Sequence, residues 1–494
     1  MQLFFQALCE AVSVQNIFFV VLGCFLGLFA GAMPGLSATS MMALLLPVCY
    51  RIPAASTMYM LLPLYVAVEY SNAIPAVTLG IPGSPGAIAT VFDGHPMSKK
   101  GQAGFALKCS IAGSAVGGII GTLVLIGLAR PMTALALKIG PAEYFAIAVF
   151  GLGILGCIRA DSMFKVLLSA VIGLLLSTVG VDNITGHPRF TFDLDLIIDG
   201  IPLIPSVIGF FAIPELIAMV GERGGLEKEI SLASKTQAGT QKLGSILVKK
   251  WKTHVRGSFI GSFIGLIPGL GANIASLVGY DVERRFSKCP DEFGTGVPEG
   301  VIASETANNA VVPSALIPLL TLGIPGSPAA ALVAAGLIVA GVVPGPNLFA
   351  KDPGIIYAIY IACFLGVCAM VGGAYSILPF TSRIIKTPRA FLVPIVTVLA
   401  FIGAYSIRKT IFDVHLAIAF GIGSYLLKRA GFSPAAIVLG LILGPIIETN
   451  LHRAYILGDG SFSLIYTRPI SVGILSVMII AMLWSLWSAK QQKK

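Results

Sequence analysis

Long stretches of the chain carry almost no polar side chain, and proline and glycine interrupt them more often than charge does. Runs at Ile17 to Ala32, Ala106 to Ala129, Tyr144 to Ile158, Val166 to Val179, Ile355 to Leu378, Phe391 to Tyr405 and Ile470 to Leu486 approach the length at which a helix crosses a bilayer. Counted with the shorter runs, the pattern predicts an all-α polytopic membrane protein of roughly eleven to thirteen hydrophobic segments, some of them broken. The first run has no basic region or A-x-A-like site ahead of it, so it is expected to be a retained helix and not a cleaved signal.

Inside two of the apolar segments stands the same octapeptide, TLGIPGSP, at Thr78 to Pro85 and at Thr321 to Pro328, 243 positions apart. The match widens to IPAVTLGIPGSP against IPLLTLGIPGSP, which differ at two of twelve positions, so two parts of the chain are related by duplication. The order of motifs is also shared. MPGLSAT (Met33 to Thr39), EYSNA (Glu69 to Ala73) and the octapeptide are followed in the second half by IPGLGAN (Ile267 to Asn273), SETANNA (Ser304 to Ala310) and the octapeptide. Pro34 to Glu69 spans 35 residues and Pro268 to Glu305 spans 37, while about seven extra residues follow the second Asn pair, expected as a loop insertion. This divides the chain into a first transmembrane half at 1–220, a connecting loop at 221–256 and a second half at 257–494.

Composition agrees with a membrane protein: 494 residues, 56% hydrophobic, 11% charged, mean hydropathy +0.90. The formal net charge of +10 reads as orientation and not as an anionic partner. Arg223, Lys228, Lys235, Lys242, Lys249, Lys250, Lys252 and Arg256 face only Glu222, Glu227 and Glu229 in the connecting loop, which is therefore expected on the cytoplasmic side with Lys490, Lys493 and Lys494. Residues 1–16 carry no Lys or Arg, so the two repeats are expected to start on opposite sides of the membrane, as an inverted repeat. A parallel duplication is the alternative. Only Trp251 interleaves the bases, which argues against nucleic-acid binding. Cys9, Cys24, Cys49, Cys109, Cys157, Cys289, Cys363 and Cys368 form no CxxC pair and are expected to be mostly buried free thiols. The five histidines show no metal-binding spacing, so no metal site is expected.

The octapeptide has a physical reading of its own. Pro82, Pro85, Pro325 and Pro328 cannot donate hydrogen bonds, and the neighbouring glycines reach dihedrals no regular helix uses, so a helix breaks at each copy. In hydrocarbon a break survives only where protein buries it or a watery cavity meets it. Paired breaks in corresponding halves are the sequence pointer to a transporter binding site. The candidate substrate-binding residues are Thr78, Gly80, Pro82, Gly83 and Ser84, with Thr321, Gly323, Pro325, Gly326 and Ser327. Free N–H groups at the resuming helix and the serine hydroxyls suit a carboxylate. The plainer alternative is a pair of Pro-kinked helices without a ligand. Pro34 with Gly35, and Pro268 with Gly269, mark a further pair of breaks, which are equally read as helix ends.

Glu69 with Asn72, and Glu305 with Asn308 and Asn309, fall at one-turn spacing, placing carboxylate and amide on one helix face. A carboxylate within apolar sequence is costly and so a candidate functional group. With Asn273, these residues are candidates for Na⁺ or H⁺ coupling; solvated helix ends are the alternative, above all for Glu305. Arg159, Asp161, Arg408 and Asp413 read as solvated helix ends, and Glu448 as part of an interfacial segment without an assigned role.

The motifs together carry a resemblance. MPGLSAT, DGHPMSKKGQAG (Asp93 to Gly104), FAIPEL (Phe211 to Leu216), GLIPGLGANIASLVGYDVERRFSK (Gly265 to Lys288), SETANNAVVPSALIPLLTLGIPGSP, VPGP (Val343 to Pro346) and GFSPAAIVLGLILGPIIETNLHRA (Gly431 to Ala454) span nearly the whole chain. The chain resembles the large membrane subunit of the tripartite tricarboxylate transporter family. The first repeat departs from the family pattern at Glu69-Tyr70-Ser71-Asn72, where many members have a more Gly/Ser-rich stretch. The resemblance implies a bacterial inner-membrane permease, driven by Na⁺ or H⁺ and without another cofactor. It implies a small membrane subunit and a periplasmic solute-binding protein as partners, and a tricarboxylate or dicarboxylate as substrate.

Competing classes find less in the sequence. There is no G-x-x-x-x-G-K-[ST] for an ATP-driven pump, and no clustered acids, nucleophile pair or metal ligands for a membrane-embedded enzyme. A passive anion channel shares the irregular backbone at membrane depth and stays open.

Overall fold

The computed structural model describes residues 2–33, 35–158, 163–182, 184–221, 243–381 and 389–492, and these are predominantly helical. The basic stretch at 222–242, with Pro34, Arg159 and Asp161, lies outside the described residues. Among the described residues eight helices are long and apolar enough to span a membrane, and five more of 10–17 residues are apolar but shorter, so the chain is an all-α polytopic membrane protein. Strand structure among them is limited to Gly180–Val181 and Pro188–Arg189, a two-residue antiparallel pair.

Two sets of helices build the centre. In the first half these are α1 (Val14–Gly31), α2 (Ala38–Cys49), α3 (Ala54–Ser71), α4 (Ala73–Leu79), α5 (Ile88–Lys99) and α6 (Ala103–Ala136). In the second half they are α7 (Trp251–Leu266), α8 (Gly271–Phe286), α9 (Pro298–Ser314), α10 (Leu316–Leu322), α11 (Pro328–Val339) and α12 (Pro353–Ile377).

Helices α3 and α9 lie innermost, and almost every residue of each is buried. Lipid tails are as apolar as leucine, so close backbone approach and internal hydrogen bonds hold such a bundle together more than the hydrophobic effect does. Small residues provide the approach. A Cβ on Gly27 of α1 would stand 2.5 Å from the Leu64 carbonyl oxygen of α3, and one on Gly261 of α7 would stand 2.2 Å from the Ala307 carbonyl oxygen of α9.

Each inner helix is also covered by the opposite half. The long helix α6 packs on α9, and α12 packs on α3; α5 lies against α8 and α9, while α11 lies against α2 and α3. The two sets of helices therefore interlock.

Both inner helices bend at matching places. Pro75 and Pro318 stand third in α4 and α10, where each lacks the N–H that would bond back to Ser71 or Ser314, so the axis turns at Asn72 and at Ala315. The expected loop insertion after the second Asn pair is not there, because those residues continue α9 and α10. The extra length sits earlier, where residues 287–297 link α8 to α9 while residues 50–53 suffice between α2 and α3. In consequence Glu69 and Glu305 are not at corresponding depths: Glu69 lies three residues before its bend, and Glu305 ten before its own.

Several isolated charges differ from expectation. Asp413 is fully buried and is held by Arg408, whose Nε donates to Oδ2 at 3.0 Å and whose Nη2 donates to Oδ1; Arg408 also donates to the Leu196 carbonyl at 2.8 Å. The two form an inward ion pair and not a solvated helix end, because a buried carboxylate needs a partner. Glu448 receives both guanidinium nitrogens of Arg189, at 2.5 and 3.1 Å. Of the eight cysteines only Cys24, Cys49, Cys109 and Cys363 are buried, while Cys9, Cys289 and Cys368 are exposed at helix margins or on outer faces.

Candidate functional site

The two octapeptides break their helices in the same way. After α4 the chain turns through Gly80 in the left-handed region (φ 72°), and after α10 through Gly323 (φ 76°), a conformation open to glycine at little cost. Each following glycine then folds back on the bend. The Gly83 N–H donates to the Asn72 carbonyl at 3.3 Å, and the Gly326 N–H donates to that of Ala315 at 3.2 Å.

Side chains from both halves meet at the first break. The Asn72 amide donates to the Ser84 hydroxyl at 2.8 Å, and the Asn308 amide, from α9, donates to the Glu69 backbone carbonyl at 3.2 Å. Asn308 Oδ1 and Glu69 Oε2 converge on Gly86, lying 2.8 and 3.3 Å from where its Cβ would stand. Asn72 Oδ1 approaches the Gly83 Cβ position to 2.9 Å in the same manner. Both amide oxygens are buried and have no donor among the described residues. Buried acceptors left without donors cost roughly 1–3 kcal/mol each. Around Gly83 and Gly86 the wall is therefore a set of oxygen atoms suited to a hard cation, beside backbone N–H groups and a serine hydroxyl suited to an anion.

Glu305 belongs to a neighbouring cluster. It is fully buried on α9, so the reading of it as a solvated helix end does not hold. Thr90 of α5 donates to Oε1 at 2.5 Å, and Ser114 of α6 donates to Oε2 at 3.3 Å. Asn309 donates to the Ser114 hydroxyl at 2.8 Å and to the Glu305 carbonyl at 3.3 Å, and its own Oδ1 is a further buried acceptor without a donor among the described residues.

The second break is closed by comparison. Ile324, Pro325, Gly326 and Ser327 are buried, whereas Ile81, Pro82, Gly83 and Ser84 are half-buried and Pro85 is exposed. Ser327 caps α11 by accepting the Ala330 N–H at 3.1 Å, and its hydroxyl is 3.1 Å from that of Tyr65. The Gly326 carbonyl takes the Gly269 N–H at 3.0 Å, which ties the IPGLG break to the octapeptide break beside it. Pro268 and Gly269 are buried there, and Gly35 is exposed.

Other candidates fall outside these clusters. The Thr78 and Thr321 hydroxyls turn back to the carbonyls of Ile74 and Ile317, at 2.7 and 2.8 Å, and are spent within their own helices. Asn273 is exposed on the first turn of α8.

Sequence reasoning missed Tyr65, Thr90 and Ser114, which are ordinary residues in apolar or small-residue stretches and gave no signal. It also passed over Glu215 in FAIPEL, whose position inside an apolar run was a signal. Its Oε1 accepts the Ser37 hydroxyl at 2.8 Å, at the start of α2. Asp93 of the DGHP motif is buried and accepts the N–H groups of Gly294, Gly296 and Val297 at 2.8–2.9 Å and the Tyr280 hydroxyl at 2.9 Å. It thereby fastens α5 to the loop that leads into α9.

The model of the tripartite tricarboxylate transporter TctA family matches residues 17–439. An uncharacterized 52.8 kDa protein in the TAR-I ttuC' 3' region of Agrobacterium vitis is 34% identical over 492 residues, covering 98% of this chain and 96% of that protein. An uncharacterized protein in the TAR-II ttuC' 3' region of the same organism is 36% identical over 234 residues, 47% of this chain and 97% of its own length. No solved structure matches.

Proposed function

The chain belongs to the tripartite tricarboxylate transporter TctA family, and on that premise we propose that it is the large permease subunit of a secondary active transporter for a small carboxylate. The observation that carries this reading is the convergence of Glu69, Asn72, Ser84 and Asn308, drawn from both halves, on a broken helix inside the bundle. Discontinuous helices of this kind supply dipole ends and unpaired oxygens together, and transporters use them to hold an anion and its coupling ion.

In this mechanism a periplasmic binding protein delivers the carboxylate, and a small membrane subunit completes the complex in the bacterial inner membrane. The substrate carboxylate is held by backbone N–H groups and Ser84, while Na⁺ or H⁺ is held among Glu69, Asn72 and Asn308. Glu305, set apart on Thr90 and Ser114, is a second group able to carry a proton or respond to the first. Movement of the two interlocked halves, related as inverted repeats, then exposes the site alternately to either side.

The test is uptake of labelled citrate and malate by membrane vesicles carrying the complete three-component system, under imposed Na⁺ or pH gradients. Accumulation above the external concentration that collapses with one gradient supports the carrier. Equilibration without accumulation would make the protein a passive anion pathway.

A further inference from the structure

The two octapeptides are identical, but what reaches them from the opposite half is not. Tyr65 stands thirteen residues before Thr78, and Asn308 thirteen residues before Thr321, so the two occupy the same register on α3 and α9. Tyr65 runs across to the second break and meets Ser327; Asn308 runs across to the first and stops at Gly86. A long aromatic side chain fills one break. A short amide ends against Gly86 at the other, where Ile81 to Ser84 stay half-buried.

The hydrogen bonding follows the same division. At the second break the Gly323 and Ile324 N–H groups bond to the carbonyls of Leu319 and Pro318, and Ser327 has both a capping partner and Tyr65. At the first break the Ser84 hydroxyl makes no cap to the following helix and is engaged by Asn72 alone among the described residues. Flanking it, at Gly83 and Gly86, stand the acceptor oxygens of Asn72 and Asn308, both residues fully buried and both oxygens without a donor among the described residues. Such unpaired buried acceptors mark a place where a cation or a donor group completes the bonding. No equivalent orphan surrounds Ser327 among the described residues.

We propose that the two breaks are not two halves of one substrate site: the first holds the transported solute, and the second is a closed copy whose binding position is filled by the Tyr65 hydroxyl. This rests on the carboxylate-transport reading for the identity of the solute, though not for the asymmetry. The Tyr65 hydroxyl supplies to Ser327 the hydrogen-bonding oxygen that a carboxylate supplies to Ser84. Tyr65 is thus a specificity-determining residue, because it denies the solute's second end a matching anion site.

Thiol accessibility tests this on the full chain in membrane vesicles. Ser84→Cys and Ser327→Cys are each exposed to 2-sulfonatoethyl methanethiosulfonate, and labelling is read on the peptide carrying the new thiol. A buried thiol reacts only through local opening, so the Ser84→Cys variant is expected to label about tenfold faster or more than Ser327→Cys. Adding Tyr65→Ala to Ser327→Cys is expected to raise its rate toward that of Ser84→Cys; Tyr65→Leu serves if the alanine variant does not fold. Equal rates for the two single variants overturn the proposal, and so does a thiol at 327 that stays unreactive without the tyrosine. Citrate and malate should slow labelling at position 84. Asymmetric labelling without protection by either retains the closed second break and overturns the carboxylate reading instead.

Discussion

The Thr90 hydroxyl donates to Glu305 Oε1 at 2.5 Å, and this bond joins the helix that leaves the first break to the helix that leads into the second. Glu305 stands ten residues before the bend of α9 at Ala315, and Thr90 stands ten residues after Gly80, where the first octapeptide turns. With Asp93 fastened to the 294–297 loop on the same helix α5, the segment after the first break is bound to the second half at two levels. Thr90 and Asp93 are thus the contacts through which a rearrangement at Ser84 would reach α9 along α5.

Thr90→Val keeps the volume and removes the donor. A buried carboxylate that loses a hydrogen bond is destabilised by roughly 1–3 kcal/mol, so the purified variant should unfold at a lower temperature than the parent. Glu305→Gln should recover part of that loss in the Thr90→Val background, since an undonated neutral amide oxygen costs less than an undonated carboxylate oxygen. Thermal unfolding of the single and double variants in detergent checks this; an additive double variant would show that the two residues act independently.

The sequence made the helical, membrane-spanning character and the paired breaks legible because both are local. Proline and glycine dictate where a helix stops, and uninterrupted apolar runs dictate where one spans. What was not legible was register between distant helices. The Glu69 and Glu305 motifs look alike in one dimension, yet an insertion between α8 and α9 shifts one by about two turns against the other, and only packing reveals it. Tyr65 was hidden for a related reason: its neighbours in α3 are as buried as it is, and its hydroxyl gains meaning only beside Ser327. The ion pair of Arg408 and Asp413 was misread as solvated because sequence gives no depth.

The oxygens of Asn72 and Asn308 carry a prediction about coupling. Asn308→Ala removes one acceptor from the first break, and loss of a single ligand worth about 1.4 kcal/mol raises the half-saturating cation concentration about tenfold. Asn309→Ala, one residue away but directed to Ser114, should leave that concentration unchanged. Initial uptake rates against Na⁺ concentration and against pH decide which ion responds. An unchanged half-saturation for Asn308→Ala in both series would remove it from the cation site.

Close helix approach at Gly261 predicts a stability effect without chemistry. A side chain there meets the Ala307 carbonyl oxygen, which is backbone and cannot rotate away. Gly261→Val should cost about 1–3 kcal/mol by overpacking, lower the unfolding temperature and reduce the amount of folded protein recovered from membranes. Gly244→Val, where a Cβ meets nothing within 4 Å, is the matched control and should behave as the parent.

Arg408 and Asp413 test whether the buried pair stabilises the fold or merely tolerates burial. Taking two charges out of water is costly, and an apolar pair of similar volume often does as well, but removing one partner strands the other. Arg408→Leu leaves Asp413 fully buried without its guanidinium, and the expected cost is about 3–5 kcal/mol. Arg408→Leu with Asp413→Leu should recover most of that loss. The Arg408 side chain is itself partly exposed, so some of its charge stays solvated and the measured cost should fall at the lower end of the range. Chemical or thermal unfolding of the four members of the cycle gives the coupling directly; a double variant as unstable as Arg408→Leu alone would show that the guanidinium's bond to the Leu196 carbonyl, and not the carboxylate, is what the site requires.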